Sequence, residues 1–133
     1  MPVTATVLPG FDSPDLLPWL EAADATLLDL LPFGVVRLDR AGCVTAYNAY
    51  ESERAGLRPA TVMGRPFFST VGICGNNPLV AGRYAAEPRL DALLDYVFTF
   101  RLRPVPVRLR LLQAPEARHA WLLVCRRAPQ AAA

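Results

Sequence analysis

The stretch VVRLDRAGCVTAYN, residues 35–48, decides how the chain is read. Branched and aromatic residues alternate on either side of D-R-A-G (39–42), which predicts a β-hairpin from Val35 to Tyr47. Directly after it, Asn48 opens a helical turn expected to reach about Ala55, with Gly56 in the stop position. Working back from the hairpin, Pro32 closes a segment from Asp15 to Leu31 whose leucines mark a patchy amphipathic helix or two short helices. Ser13 and Pro14 are its expected N-cap and first helical residue. Working forward, PATVMGRPFF (59–68) predicts a short helix with a bend at Gly64 to Pro66, and LVAGRYAAEPRLDALL (79–94) a weak helix broken at Pro88. Strands are expected from Tyr96 to Leu102, along VPVRLRLLQA (105–114) and along AWLLVCRR (120–127). The order is helix, two strands, short helices, three strands. It predicts an α+β domain around a five-stranded antiparallel sheet.

At 133 residues, with 53% apolar and 20% charged residues, the chain has the make-up of one globular domain. A formal charge of +2 and singly scattered arginines argue against nucleic acid as a partner, and no apolar run is long enough to span a membrane. The first residues, MPVTATVLPGFDSP, lack the pattern of a signal peptide. With an odd number of cysteines (Cys43, Cys74 and Cys125), this predicts a reducing, cytoplasmic setting with free thiols. All 14 basic residues are arginine, so no lysine is available for a Schiff base, and one histidine excludes histidine-cluster metal sites.

Three places hold residues that can do chemistry. Cys74 lies in a loop between Gly72 and Gly75, where no apolar periodicity asks for it. It is read either as a structural thiol or as a nucleophile able to hold an acyl group as a thioester, with glycines that let the backbone approach a ligand. Asn48 and Glu51 have capping-box spacing, which would leave Glu51 bonded to the backbone. The functional alternative turns Tyr47 and Glu51 into one pocket, where a phenol and a neutral carboxyl both donate to one anionic oxygen. Burial and a neighbouring negative charge would keep Glu51 neutral. His119 has no motif partner and is expected to be exposed and uninvolved. Phe67, Phe68, Phe98 and Trp121 are expected in the core, as is Cys125 within its apolar strand.

In this order the motifs resemble the photoactive yellow proteins, small PAS-domain blue-light receptors. The matching pieces are LPFGVVRLD (31–39), AYNAYE (46–51), MGRPFF (63–68), VGIC (71–74), DYVFTF (95–100), Pro104 and AWLLV (120–124). The resemblance implies a PAS-like core over residues 31–127 and an N-terminal helical cap over 1–30; the tail APQAAA (128–133) is expected to be disordered from its own composition. The resemblance also implies 4-hydroxycinnamic (p-coumaric) acid held as a thioester on Cys74, with Tyr47 and Glu51 on its phenolate oxygen. Light then isomerises the pigment's double bond and the proton of Glu51 passes to the phenolate. The buried carboxylate left behind drives a change of shape. Ala55, Leu57, Phe98 and Leu102 complete the implied pocket. Its partners are the chromophore and a downstream signalling protein, with no nucleic acid or membrane, in a monomer or weak homodimer that is not an enzyme.

The departures lie around the pigment. Ala55 stands where a tyrosine-supporting threonine is common, Leu57 where an arginine often covers the pigment, and Leu102 where a methionine assists recovery. Ile73 precedes the cysteine where proline is usual. A more apolar cover favours a neutral phenol, so a larger near-ultraviolet fraction and slow recovery are expected. The alternatives are a PAS-like interaction or small-ligand module without pigment, and a thiol redox sensor using Cys74.

Overall fold

The computed structural model describes residues 7–100 and 103–126, the Phe100 side chain apart. The hairpin forms as expected. Strand β1 (Gly34–Leu38) pairs antiparallel with β2 (Val44–Tyr47), with Val36 opposite Tyr47 and Arg37 opposite Ala46. Asp39 organises the turn, its carboxylate accepting from the backbone N–H of Ala41 and of Cys43 at 2.9 Å each. Strands β3 (Leu90–Phe100), β4 (Arg103–Gln113) and β5 (Ala120–Cys125) complete an antiparallel sheet of order β2-β1-β5-β4-β3.

The sheet is covered on both faces, so its central strands β1 and β5 are nearly continuous apolar runs rather than strict alternations. On one face Val36, Leu122 and Val124 join Leu109 and Leu111. Around them lie α3 (Ala49–Ala55), α4 (Pro59–Val62) and α5 (Ala81–Ala86), with Val62, Phe67 and Val80 buried. On the other face Val35, Trp121, Leu123 and Leu112 meet Leu16 and Leu20 of α1 (Leu16–Ala22) and Leu28 of α2 (Ala25–Asp29). No helix among the described residues is long and apolar enough to cross a membrane.

Two polar clamps hold the N-terminal segment to the sheet. Buried Arg110 grips Asp91 through Nε at 3.0 Å and Nη2 at 2.9 Å, and its Nη1 donates to the carbonyls of Phe11 at 2.9 Å and Ser13 at 2.7 Å. Glu21 of α1 accepts from the Trp121 indole at 2.7 Å and from the backbone N–H of Arg118 and His119 at 3.0 and 3.2 Å. His119 is therefore not the exposed, uninvolved residue expected. Its side chain is 24% exposed, its Nδ1 lies 3.2 Å from Glu21, and its ring meets the Trp121 ring edge-on.

Two further expectations change. Asp15, not Ser13, precedes the first helix; Ser13 and Pro14 form a turn ahead of it, with the Leu16 N–H on the Ser13 carbonyl. The weak helix predicted over 79–94 ends at Ala86, and β3 begins at Leu90. From there Leu90, Ala92, Leu94, Tyr96 and Phe98 pack inward while Asp91, Leu93, Asp95 and Val97 are exposed, a period of two that overrides the helix-forming composition. The end of that strand at Leu102 and the expected tail at 128–133 lie outside the described residues.

Candidate functional site

Tyr47 ends β2 and Glu51 sits in the first turn of α3, so one hairpin and one helix start deliver both side chains. Both are buried, at 5% and 4% exposure. Between them Asn48 is the N-cap of α3: its Oδ1 accepts from the N–H of Glu51 at 3.1 Å and of Val35 at 2.9 Å. The capping box is only half made. The Asn48 N–H donates to the Val35 carbonyl, and the Glu51 carboxylate turns inward. Among the described residues the Tyr47 hydroxyl makes no hydrogen bond.

Glu51 meets a cation, not the negative neighbour that would keep it neutral. Arg126, immediately after β5, donates from Nη1 to Oε1 at 2.5 Å and from Nη2 to Oε2 at 3.0 Å, with side chains 10% and 5% exposed. Burial pushes the Glu51 carboxyl above its ordinary range, and the Arg126 guanidinium opposes the rise without cancelling it. Burial and the Glu51 charge raise Tyr47 as well, again against Arg126. Gly34 on β1 makes room for this pair, since a Cβ there would overlap Glu51 Oε1.

Cys74 is exposed, at the centre of a single 3₁₀ turn (Ile73–Gly75) that follows a π-helical turn (Phe67–Val71). Its position is fixed through its own carbonyl, which accepts from the Tyr96 hydroxyl at 2.6 Å and from Asn77 Nδ2 at 3.1 Å. The flanking glycines serve packing: a Cβ on Gly72 would overlap the Phe67 ring, and one on Gly75 would crowd Phe68 at 3.1 Å. Cys43 and Cys125 are half-buried free thiols. Ala55 and Leu57 pack, half-buried, against the core cluster that also holds Tyr47 and Phe98, and the Tyr96 and Phe98 rings meet edge-on. Leu102 lies outside the described residues. A groove of about 580 Å³ between α2, α3, α4 and β2 has Tyr47 and Asn48 in its wall and does not include Cys74.

Arg126, Tyr96 and Asn77 belong to this arrangement and were not singled out in the sequence. Asn77 before Pro78 is a turn signal, but neither it nor the first of two arginines at the end of an expected strand announces a partner elsewhere in the fold. The groups able to meet a ligand are thus the exposed thiol of Cys74 and, apart from it, the Tyr47 hydroxyl without a hydrogen bond among the described residues and the Glu51 carboxylate on Arg126.

The sheet order, the helices on one face and the N-terminal segment on the other define a PAS-type sensor domain. At the level of fold it is similar to the PAS domain of Bordetella pertussis BvgS (15% identity, 89% of this chain and 90% of that one, TM-score 0.57). A second fold-level likeness is the Rhodobacter sphaeroides LOV protein (13% identity, 81% and 66% covered, TM-score 0.62). No family model matches the chain. The chain nevertheless belongs to the photoactive yellow protein family. It is 34% identical to the photoactive yellow protein of Rhodobacter capsulatus over 79% of this chain and 87% of that protein. With that of Rhodothalassium salexigens the figures are 33%, 74% and 82%. The photoactive yellow protein domain from the sensor histidine kinase Ppr of Rhodospirillum centenum matches at 34% identity with a TM-score of 0.73, over 80% of this chain and 96% of that one.

Proposed function

We propose that this PAS-domain photosensor carries p-coumaric acid as a thioester on Cys74, with the phenolic end held by Tyr47 and Glu51. The observation that carries the reading is the hydroxyl of Tyr47, a buried residue within the field of the Glu51 charge, which has no hydrogen bond among the described residues. The Cys74 thiolate attacks the carbonyl of an activated coumaroyl ester and the ester's leaving group departs. When bound, the pigment supplies a light-driven double-bond isomerisation and a phenolic oxygen able to exchange a proton. Tyr47 donates to that oxygen, and Glu51 is the partner with which the proton is shared. The change in buried charge reaches the two polar clamps and loosens residues 1–30, which act as the cap of the core at 31–127. A downstream signalling protein reads the loosened cap. Ala55, Leu57 and Phe98 line the pocket, with Leu102.

The test is incubation with activated p-coumaric acid, followed by intact mass and absorbance before and after blue or near-ultraviolet light. One added coumaroyl group, absent from Cys74→Ala, and a reversible light-dependent shift are the expected outcome. A folded protein that gains no mass and stays colourless would leave an unpigmented PAS-like module or, if Cys74 forms sulfenic acid rapidly under mild peroxide, a redox sensor.

A further inference from the structure

Glu51 and Arg110 are the buried charged side chains among the described residues, and Arg110 is accounted for by the cap clamp. Glu51 is enclosed by the Gly34 backbone and Arg126. The two-point contact from the guanidinium favours the charged form. A neutral carboxyl in its ordinary geometry turns its O–H toward the fork and leaves one good acceptor there, whereas a carboxylate accepts an N–H at each oxygen. We propose that Arg126 sets the charge of a phenolic ligand at this site: by holding Glu51 as a carboxylate, it makes Glu51 a hydrogen-bond acceptor for the phenol O–H, so the dark-state ligand keeps its proton as the neutral phenol. The proposal rests on the pigment-binding reading above.

Tyr47 shows the same field acting on a phenol already present. Its hydroxyl is held firmly neutral by burial and the Glu51 charge, with Arg126 too weak an opponent to reverse them. A ligand phenol next to Tyr47 and Glu51 meets the same charges, and its O–H donates to a Glu51 oxygen. Without Arg126 a buried carboxylate has lost its guanidinium partner, and the proton moves from the phenol O–H to Glu51. Glu51 then donates back to a phenolate, the arrangement that the family resemblance implies.

Isotope-edited infrared spectra of the unloaded protein at neutral pH come first. No protonated-carboxyl band that disappears in Glu51→Gln is expected in the wild type, whereas Arg126→Gln should gain one that its double variant with Glu51→Gln lacks. After coumaroylation the wild type should absorb mainly in the near ultraviolet, Arg126→Gln mainly in the blue, and Arg126→Lys, which keeps the charge, like the wild type. A protonated Glu51 band in the wild type, or the same absorbance balance in wild type and Arg126→Gln, overturns the proposal. If Arg126→Gln does not fold, the wild-type band and loaded wild-type spectrum decide it. If no coumaroyl group is taken up, the pigment reading fails and the infrared result alone decides the charge state of Glu51.

Discussion

The hydroxyl of Tyr47 is a polar group with nothing to do in the unloaded protein. Its ring contributes to the core, but among the described residues no donor or acceptor meets its oxygen. Tyr47→Phe is therefore predicted to change the unfolding free energy of the unloaded protein by no more than about 0.5 kcal/mol in urea titrations. A loss above about 1.5 kcal/mol would mean that the hydroxyl is bonded and not held for a ligand. After coumaroylation the same substitution is predicted to move the absorbance maximum, because only then does the hydroxyl have an oxygen to bind. Ala55, which packs against the same cluster, has a methyl that offers no hydrogen bond.

At the level of elements, Asn48 joins three pieces of chain. Its Oδ1 binds β1 and the first turn of α3, while its Nδ2 donates to the carbonyl of Leu28 in α2 at 2.8 Å and of Phe33 at 3.0 Å. Asn48→Ala leaves these backbone groups without their partner in a buried site and is predicted to cost about 3 kcal/mol, measured by chemical denaturation. Asn48→Asp keeps the cap but cannot donate, so it should recover only part of that loss. Sequence alone announced the cap, because capping is local and Asn-x-x-Glu is its signature. It could not announce the bonds to Leu28 and Phe33, which depend on where α2 is docked. The same limit separates the hairpin, legible from alternation and the D-R-A-G turn, from β3. There, Ala92 and the leucines at 90, 93 and 94 carry no strand preference of their own and are strand because β4 pairs with them. Cys74, Tyr47 and Glu51 are joined in the sequence only by the family resemblance. Arg126 was not legible, since a salt bridge across 75 residues leaves no spacing to read.

For the whole molecule, the central feature is a sheet packed on both faces, one holding the candidate site and the other the N-terminal segment. Glu21 links that segment to β5. Burial raises its carboxyl, but hydrogen bonds from the Trp121 indole, the Arg118 backbone and His119, with the His119 charge, together lower it below its ordinary value of 4.5. A carboxyl lowered in the folded state stabilises fully above its unfolded pKa, and that contribution is lost as pH falls through the folded value. Unfolding free energy measured across acidic pH is thus predicted to decline below about pH 4.5 with a component that Glu21→Gln removes. At neutral pH that variant should be less stable by about 1–2 kcal/mol. An acid limb unchanged by the substitution would show that Glu21 does not clamp the cap. The Trp121 clamp has an optical consequence. This indole is fully buried beneath the N-terminal segment with its N–H on Glu21. Its intrinsic fluorescence therefore reports cap opening without an added dye. Lifting the segment wets the ring and shifts its emission to longer wavelength, and Trp19→Phe isolates that signal from the other tryptophan in the chain.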